Sequence, residues 1–270
     1  MLAGFPATTA RELFRSNFRR HSTYRAAALA GAFTNTVFGA IKASITLGAL
    51  ASAGGSIAGY DPRSAMTYVW LTQAFIAPLS LFGWNELSDR VRSGDIAVDL
   101  SRPVDLQMSY LFSDLGRAAF EVLPRGLPPL LIGWVTTGVH IPANPVVWLC
   151  GLLGLMLGVC TSFACRFLTN LSSFWLLEIR GVHTLYMVAS GIFCGLLVPV
   201  HWFPAWLQVV AHATPFPSLL QTPVDLMSGR TTGAAAGFAL LTQTAWLLAM
   251  LALGRVALAR GARRLVVQGG

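Results

Sequence analysis

The feature that most constrains this chain is a series of long apolar stretches. They are the segments 26–50, 65–85, 118–140, 146–168, 173–198 and 233–258. A transmembrane helix needs about 20 predominantly apolar residues, so each stretch is long enough to cross a bilayer. Only 11% of the residues are charged, whereas a soluble domain has about 25%. The sequence therefore predicts an all-α integral membrane protein with six transmembrane helices in residues 26–270.

The basic residues predict how these helices are oriented. Of the 19 Arg and Lys residues, the six-span layout places fifteen in inner segments and two, Arg63 and Arg230, in outer loops. Because basic residues are enriched in cytoplasmic loops, we expect both termini to be cytoplasmic. The basic residues are scattered among apolar segments, and this pattern does not indicate a nucleic-acid partner.

Prolines modify two parts of this layout. The segment 199–232 is apolar but carries five prolines that divide it into pieces too short to cross the membrane. We expect it to lie on the outer face as short, partly inserted helices, a structure that needs protein or water around its backbone. Three further prolines at 124, 128 and 129 are expected to interrupt the third span, which then crosses from near residue 127.

Residues 1–25 predict an amphipathic helix on the cytoplasmic membrane surface. Its basic face is formed by Arg11, Arg15 and Arg19. Phe14 and Phe18 form an apolar ridge expected to rest on lipid. Thr9 and Glu12 have the spacing of a capping box, which predicts the start of the helix. A frayed basic tail is the alternative.

The sequence lacks the signatures of an enzyme. It contains no G-x-x-x-x-G-K-[ST], Gly-x-Ser-x-Gly or H-E-x-x-H string, which are the motifs of phosphate loops, serine hydrolases and zinc proteases. Its four cysteines lie in apolar segments without Cys-x-x-Cys spacing, so we expect inert buried thiols. We therefore expect no catalytic residue, no metal site and no cofactor in this chain.

The longest polar segment is the cytoplasmic loop 86–117, which carries six of the eleven acidic residues. We expect Gly94 to end a first short helix, while Ile96 and Leu100 give the next turn an apolar face. A short amphipathic helix between two spans can rest on lipid or dock on another protein, and composition does not separate these roles.

This loop resembles that of type-2 ABC exporter permeases, a subfamily often encoded as two unlike permeases with one ATPase. The matching loop residues are Arg92, Gly94, Asp95, Ile96, Ala97, Asp99, Leu100, Arg102 and Pro103. A second match lies in the segment 199–232, which we call the outer segment. Its matching residues are Pro199, Trp202, Phe203, Pro204, Trp206, Pro215 and Phe216. Residues 174–178 and the ending 263–270 also match, so the resemblance covers nearly the whole chain.

The resemblance implies a role for each soluble segment. The loop 86–117 would hold the coupling helix, with Asp95, Ile96 and Leu100 contacting an ATPase, and the segment 199–232 would be re-entrant. The connector helix would comprise Arg11, Glu12, Phe14, Arg15, Phe18 and Arg19. The chain would be a non-catalytic exporter permease for a hydrophobic or amphipathic substrate in the bacterial plasma membrane.

The resemblance also implies partners. These are two ATPase subunits that bind Mg-ATP, a second permease, identical or unlike, and the surrounding membrane lipids.

Charged residues fall within or beside the predicted spans: Lys42, Glu121, Arg125 and Glu178. An intramembrane charge is costly unless it has a partner or a water-filled cavity. Glu121 and Arg125 are four residues apart and are expected to neutralise each other. Lys42 and Glu178 serve either structural pairing or a translocation path, and the sequence leaves both roles open.

Two other functions compete with the permease. An ion-coupled secondary transporter would use Lys42 and Glu178, although the chain shows no detectable inverted repeat. A membrane-embedded enzyme or a non-transporting membrane scaffold is the second alternative. Co-purification with an ATPase would separate the permease from both.

Overall fold

The computed structural model describes residues 5–82, 85–140 and 142–264, which form helices and turns with one isolated β-bridge between Ile57 and Tyr60. The first six helices are α1 (Ala7–Ser22), α2 (Arg25–Ser52), α3 (Pro62–Leu79), α4 (Glu86–Ser93), α5 (Ile96–Ser101) and α6 (Leu106–Glu121). They are followed by α7 (Leu127–Thr137), α8 (Pro145–Leu171), α9 (Arg180–Phe193), α10 (Ala205–His212), α11 (Gln221–Met227) and α12 (Gly233–Ala262). The predicted all-α class is confirmed for the described residues.

Two of the described helical segments have the length and hydropathy of a transmembrane span. Pro145–Phe174 and Gly233–Ala262 are each 30 residues long and have mean hydropathies of 2.1 and 1.7. Both coincide with predicted apolar stretches. The helices α8 and α12 pack side by side, and Gln243 Nε2 of α12 donates to Gly154 O of α8 at 3.1 Å.

The third predicted span is a continuous helix. Asp105 begins α6, because its side chain accepts a hydrogen bond from Met108 N at 2.9 Å. A π-helical segment, Val122–Gly126, then joins α6 to α7. The expected interruption is therefore absent: the wider π turn accommodates Pro124, which has no N–H, and the next prolines occupy the first positions of α7.

The fifth predicted span is shorter than expected. The apolar stretch 173–198 contains α9, whose 14 residues rise about 21 Å. Glu178 lies before this helix in an exposed connection and forms a 3.6 Å ion pair with Arg180. The expectation that Glu178 lies inside the span is wrong, because the helix begins only at Arg180.

The N-terminal helix begins earlier than the capping box predicted. Pro6 precedes α1 in an extended conformation, and the helix starts at Ala7 without a side-chain cap. Proline disfavours a helical conformation in the residue before it, which stops the helix from extending further back. Thr9 therefore lies within the first turn, and the predicted Thr9–Glu12 capping box does not form.

The apolar ridge of α1 packs against α6. The rings of Phe18 and Phe120 meet edge to face with centroids 5.7 Å apart. The backbone of Phe14 lies directly on Gly116, where a Cβ would overlap the Phe14 carbonyl oxygen. The ridge predicted to rest on lipid thus seats α1 on α6. The basic face remains exposed: Arg11, Arg15 and Arg19.

Trp70 fixes the arrangement of α2, α3 and α7. Its side chain is 1% exposed, and its indole Nε1 donates to Thr137 Oγ1 at 2.9 Å. The indole lies between Gly39 of α2 and Gly133 of α7, and a Cβ at either glycine would overlap the ring. Small residues on both sides therefore allow three helices to meet around one large side chain.

Gly116→Ala should loosen α1 from α6. The added methyl group would overlap a backbone atom, and overpacking of this kind costs roughly 1–3 kcal/mol. We expect trypsin to cleave within α1 several-fold faster than in the wild type. Gly181→Ala is the matched control, because a Cβ there meets nothing within 4 Å. Equal cleavage rates for Gly116→Ala and the wild type would contradict this packing.

Candidate functional site

The helices α4 and α5 form a compact pair that we call the loop unit (residues 86–101). Gly94 joins them with φ 85°, a left-handed conformation that glycine adopts readily, so the predicted break is confirmed. Arg90 Nε donates to the Asp99 carboxylate across the pair. This hydrogen bond raises the pKa of Arg90 above its ordinary value.

The inner face of the loop unit is fixed to α8. Ser88 N donates to Asn170 Oδ1 at 3.2 Å. Leu87 and Ile96 are both 0% exposed and pack in one cluster with Phe163, Phe167 and Leu171. The expectation that Ile96 contacts an ATPase is therefore wrong, because α8 and its neighbours cover this side chain completely.

The outer face of the loop unit is exposed. Its exposed residues include Arg92, Gly94, Asp95 and Val98, whereas Ala97, Asp99 and Leu100 are half-buried. Arg102 and Pro103, which follow the loop unit, are also exposed. Asp95 accepts from Ser93 Oγ at 2.9 Å and does not cap α5.

Val98 supplies the apolar surface that the sequence analysis assigned to Ile96. It is 55% exposed, and it lies about 200° around the helix from Ile96. Once Ile96 faces inward, Val98 must face outward. The helical spacing predicts that these two residues lie on opposite faces, but it does not predict which of them is buried.

A chain of ion pairs connects α6, the π segment and α8. Asp114 accepts from Arg166 Nη2 and from Arg117 Nε, both at 2.8 Å. Glu121 accepts from Arg117 Nη1 at 3.1 Å, and Arg125 Nη1 lies 3.7 Å from its other oxygen. The predicted Glu121–Arg125 pair is confirmed and belongs to a larger network.

The same network holds the end of α3. Arg117 donates to Ala77 O at 3.1 Å and to Pro78 O at 3.0 Å, two carbonyl groups in the last turn of α3. Asp114 lies between two guanidinium groups, Arg166 and Arg117, which offset the cost of burying its charge.

A cavity of about 660 Å³, which we call the Lys42 cleft, lies beside this network. It brings together three of the four predicted intramembrane charges, Lys42, Glu121 and Arg125. The fourth, Glu178, is not among its lining residues. Phe38 and Leu197, which are 60% and 62% exposed, also line the cleft.

Two cationic groups lie at different heights in the Lys42 cleft. Lys42 Nζ donates to Thr72 Oγ1 at 3.3 Å and to Leu196 O, and both partners are neutral. The Arg125 guanidinium lies against Gly31 of α2. Gly31 and Lys42 lie about 16 Å apart along the axis of α2, so the two cations are at well-separated levels.

The outer segment is held by a buried polar cluster that the sequence analysis missed. Asp225 is 6% exposed, and its Oδ2 lies 2.9 Å from both His201 Nε2 and Gln221 Nε2. Gln221 Oε1 accepts from Tyr68 OH of α3 at 2.7 Å and from Val200 N at 2.9 Å. Asp225 is the only acidic residue in the stretch 199–232. This single charge in an apolar segment is the sequence feature that indicates a buried polar cluster.

The predicted residues of the outer segment lie in and around its short helices. Trp202 packs edge to face on Tyr60 with centroids 6.1 Å apart, and Phe216 stacks on Phe193 at 6.4 Å. Phe203 O accepts from Gln208 Nε2 at 2.8 Å. The remaining residues divide by exposure, with Pro199 buried, Pro215 half-buried, and Pro204 and Trp206 exposed.

One comparison with known proteins gave a match. A family model described as ABC-2 family transporter protein matches residues 40–269, a range that contains the loop unit and the outer segment. No curated protein and no solved structure matches the chain.

Asp114→Asn should destabilise the protein by about 3 kcal/mol or more, because the Arg166 side chain, 3% exposed, would lose its carboxylate in a buried site. Thermal unfolding of the full chain in detergent measures this effect. Glu178→Gln is the control, since its pair with Arg180 is exposed, and its melting temperature should match the wild type.

Proposed function

Because the chain belongs to the ABC-2 transporter family, we propose that it is the permease of an ATP-driven exporter in the bacterial plasma membrane. It would move a hydrophobic or amphipathic substrate, as the sequence resemblance implies. The sequence has no phosphate-loop motif, so ATP hydrolysis takes place on two ATPase subunits that bind Mg-ATP. The chain itself is then not an enzyme, and a second permease, identical or unlike, completes the transporter.

The observation that carries this proposal is the anchored loop unit. A partner can drive a conformational change only if it binds the two conformations with different free energies. The loop unit supports such a role, because Ser88 and Ile96 join it to α8 while Asp95 and Val98 remain exposed. Movement of a docked ATPase would therefore be passed directly to a long helix.

The proposal includes six spans with both termini cytoplasmic. The six apolar stretches correspond to α2, α3, the α6–α7 helix, α8, α9 and α12. The basic residues support this orientation, since fifteen of nineteen fall in the inner segments. The outer segment, with its short helices α10 and α11, is then re-entrant.

We place the translocation path at the Lys42 cleft. The residues that line it include Lys42, Glu121 and Arg125. Each would be an intramembrane charge, and a polar path would accommodate such charges. Glu178 plays no part in this path, because it is exposed and paired with Arg180.

The ion-pair network weighs against ion-coupled secondary transport. The carboxylate of Glu121, the one acidic residue among the described lining residues of the Lys42 cleft, is already paired with Arg117 and Arg125, which leaves no free carboxylate there for a coupling ion. A non-transporting scaffold would bind partners without ATP-dependent substrate movement.

Combining Asp95→Arg with Val98→Glu should release the ATPase or reduce ATP-dependent transport at least tenfold. Both residues are exposed, so membrane insertion should be unchanged. Pull-down and transport in vesicles are the measurements. Glu178→Arg is the control, because it makes the same charge reversal at an exposed position outside the loop unit. Normal ATPase binding together with normal transport in the double variant would exclude the loop unit as the coupling site.

The proposed orientation predicts which cysteines a membrane-impermeant maleimide can label. In a cysteine-free background, Thr232→Cys should be labelled on intact cells, and Ser101→Cys only after permeabilisation. Both positions are exposed in the fold, whereas Ser218 is buried and unsuitable. Labelling of Ser101→Cys on intact cells would reverse the layout.

A further inference from the structure

We infer that the Lys42 cleft binds an amphipathic anion, with a carboxylate or phosphate group among the cleft's cations and an apolar body at its mouth. The significance of this inference for transport rests on the proposed function, but the binding chemistry rests on the cleft alone. Neutral lipophiles and amphipathic cations are the competing ligand classes.

The charge balance of the cleft favours an anion. Its described lining residues include the cations Lys42, Arg117 and Arg125 but one carboxylate, Glu121. Asp114 is shared between Arg117 and Arg166. The two carboxylates therefore pair with three arginines, namely Arg117, Arg125 and Arg166. Together with Lys42, the group carries two positive charges in excess, and an anionic ligand would offset them.

Lys42 is positioned to bind such a ligand. An ammonium group has three N–H donors, and Lys42 uses two of them for Thr72 Oγ1 and Leu196 O. These contacts hold the group in place while leaving a donor at the cleft, and neither neutralises its charge. Ammonium and guanidinium groups form their strongest hydrogen bonds with carboxylate and phosphate oxygens.

Arg125 offers a second cationic position. Its Nη1 makes a long contact of 3.7 Å with Glu121, and its buried Nε has no hydrogen-bond partner among the described residues. Since Arg125 lies against Gly31, which is about 16 Å from Lys42 along the axis of α2, one anionic group could be held first by Arg125 and then by Lys42.

The mouth of the cleft is apolar. Phe38 and Leu197 line it and are strongly exposed. Phe38 shares one face of α2 with two other exposed apolar side chains, Ile41 and Ile45. An apolar body would therefore find an extended apolar surface directly beside the charged interior. This juxtaposition of cations and exposed apolar side chains matches an amphipathic anion.

Matched fluorescent probes test the inference. The anionic probes are 11-(dansylamino)undecanoic acid and dansylaminoundecyl phosphate, and the comparison probes are the methyl ester of the acid and the corresponding amine. Binding is measured by dansyl fluorescence on the full-length chain in phosphatidylcholine nanodiscs without ATP, and empty nanodiscs give the background.

We expect at least one anionic probe to bind ten or more times tighter than the ester and the amine. The tighter of the two identifies the preferred headgroup. Lys42→Met and Arg125→Met should each weaken this binding about tenfold, as loss of a charge-assisted hydrogen bond implies. Lys42→Arg keeps the charge and should retain most of the affinity, and Arg63→Met, at an exposed position in the first turn of α3, should have no effect.

Equal binding of acid and ester, preference for the amine, or unchanged affinity in a folded Lys42→Met variant would overturn the inference. If Lys42→Met does not fold, probe selectivity in the wild type together with the Lys42→Arg and Arg125→Met affinities decides the question. Because binding is measured without ATP, anion selectivity without ATP-dependent transport would refute the proposed function and leave this inference intact.

Discussion

The paired charges at Asp114 hold together the parts of the molecule on which the proposed function depends. Asp114 joins α6 to α8 through Arg166, and its other partner, Arg117, closes the end of α3. The helix α6 also packs against α1 through Gly116, and its C-terminal end leads to Glu121 and Arg125 at the cleft. The docking surface, the cleft and the N-terminal helix thus share one electrostatic anchor.

The sequence predicted the fold best where local composition decides the structure. The helices α8 and α12 coincide with apolar stretches, and the turn at Gly94 needed only a left-handed residue. The start of α6 was not predictable in this way. It depends on Asp105, which caps the helix and also pairs with Arg255 of α12 at 3.0 Å, a contact between residues far apart in sequence.

The candidate site was predictable in its members but not in its assembly. The charge of Lys42 within an apolar stretch identifies it as a candidate site residue. Its place in one cleft with Glu121 and Arg125, however, depends on how α2 packs on the third span. The orientation of α5 was likewise decided by tertiary contacts, since the aromatic side chains of α8 cover Ile96 and leave Val98 outside.

The π segment Val122–Gly126 sets the rotational phase of everything that follows it. A π turn contains about one residue more than an α turn, and one residue corresponds to about 100° of rotation around a helix. If this segment reverted to α-helix, the face of α7 would rotate by that angle relative to α6. Gly133 would then leave the Trp70 indole and Arg125 would leave Gly31. One extra residue thus aligns both the packing of α7 and the inner cation of the cleft.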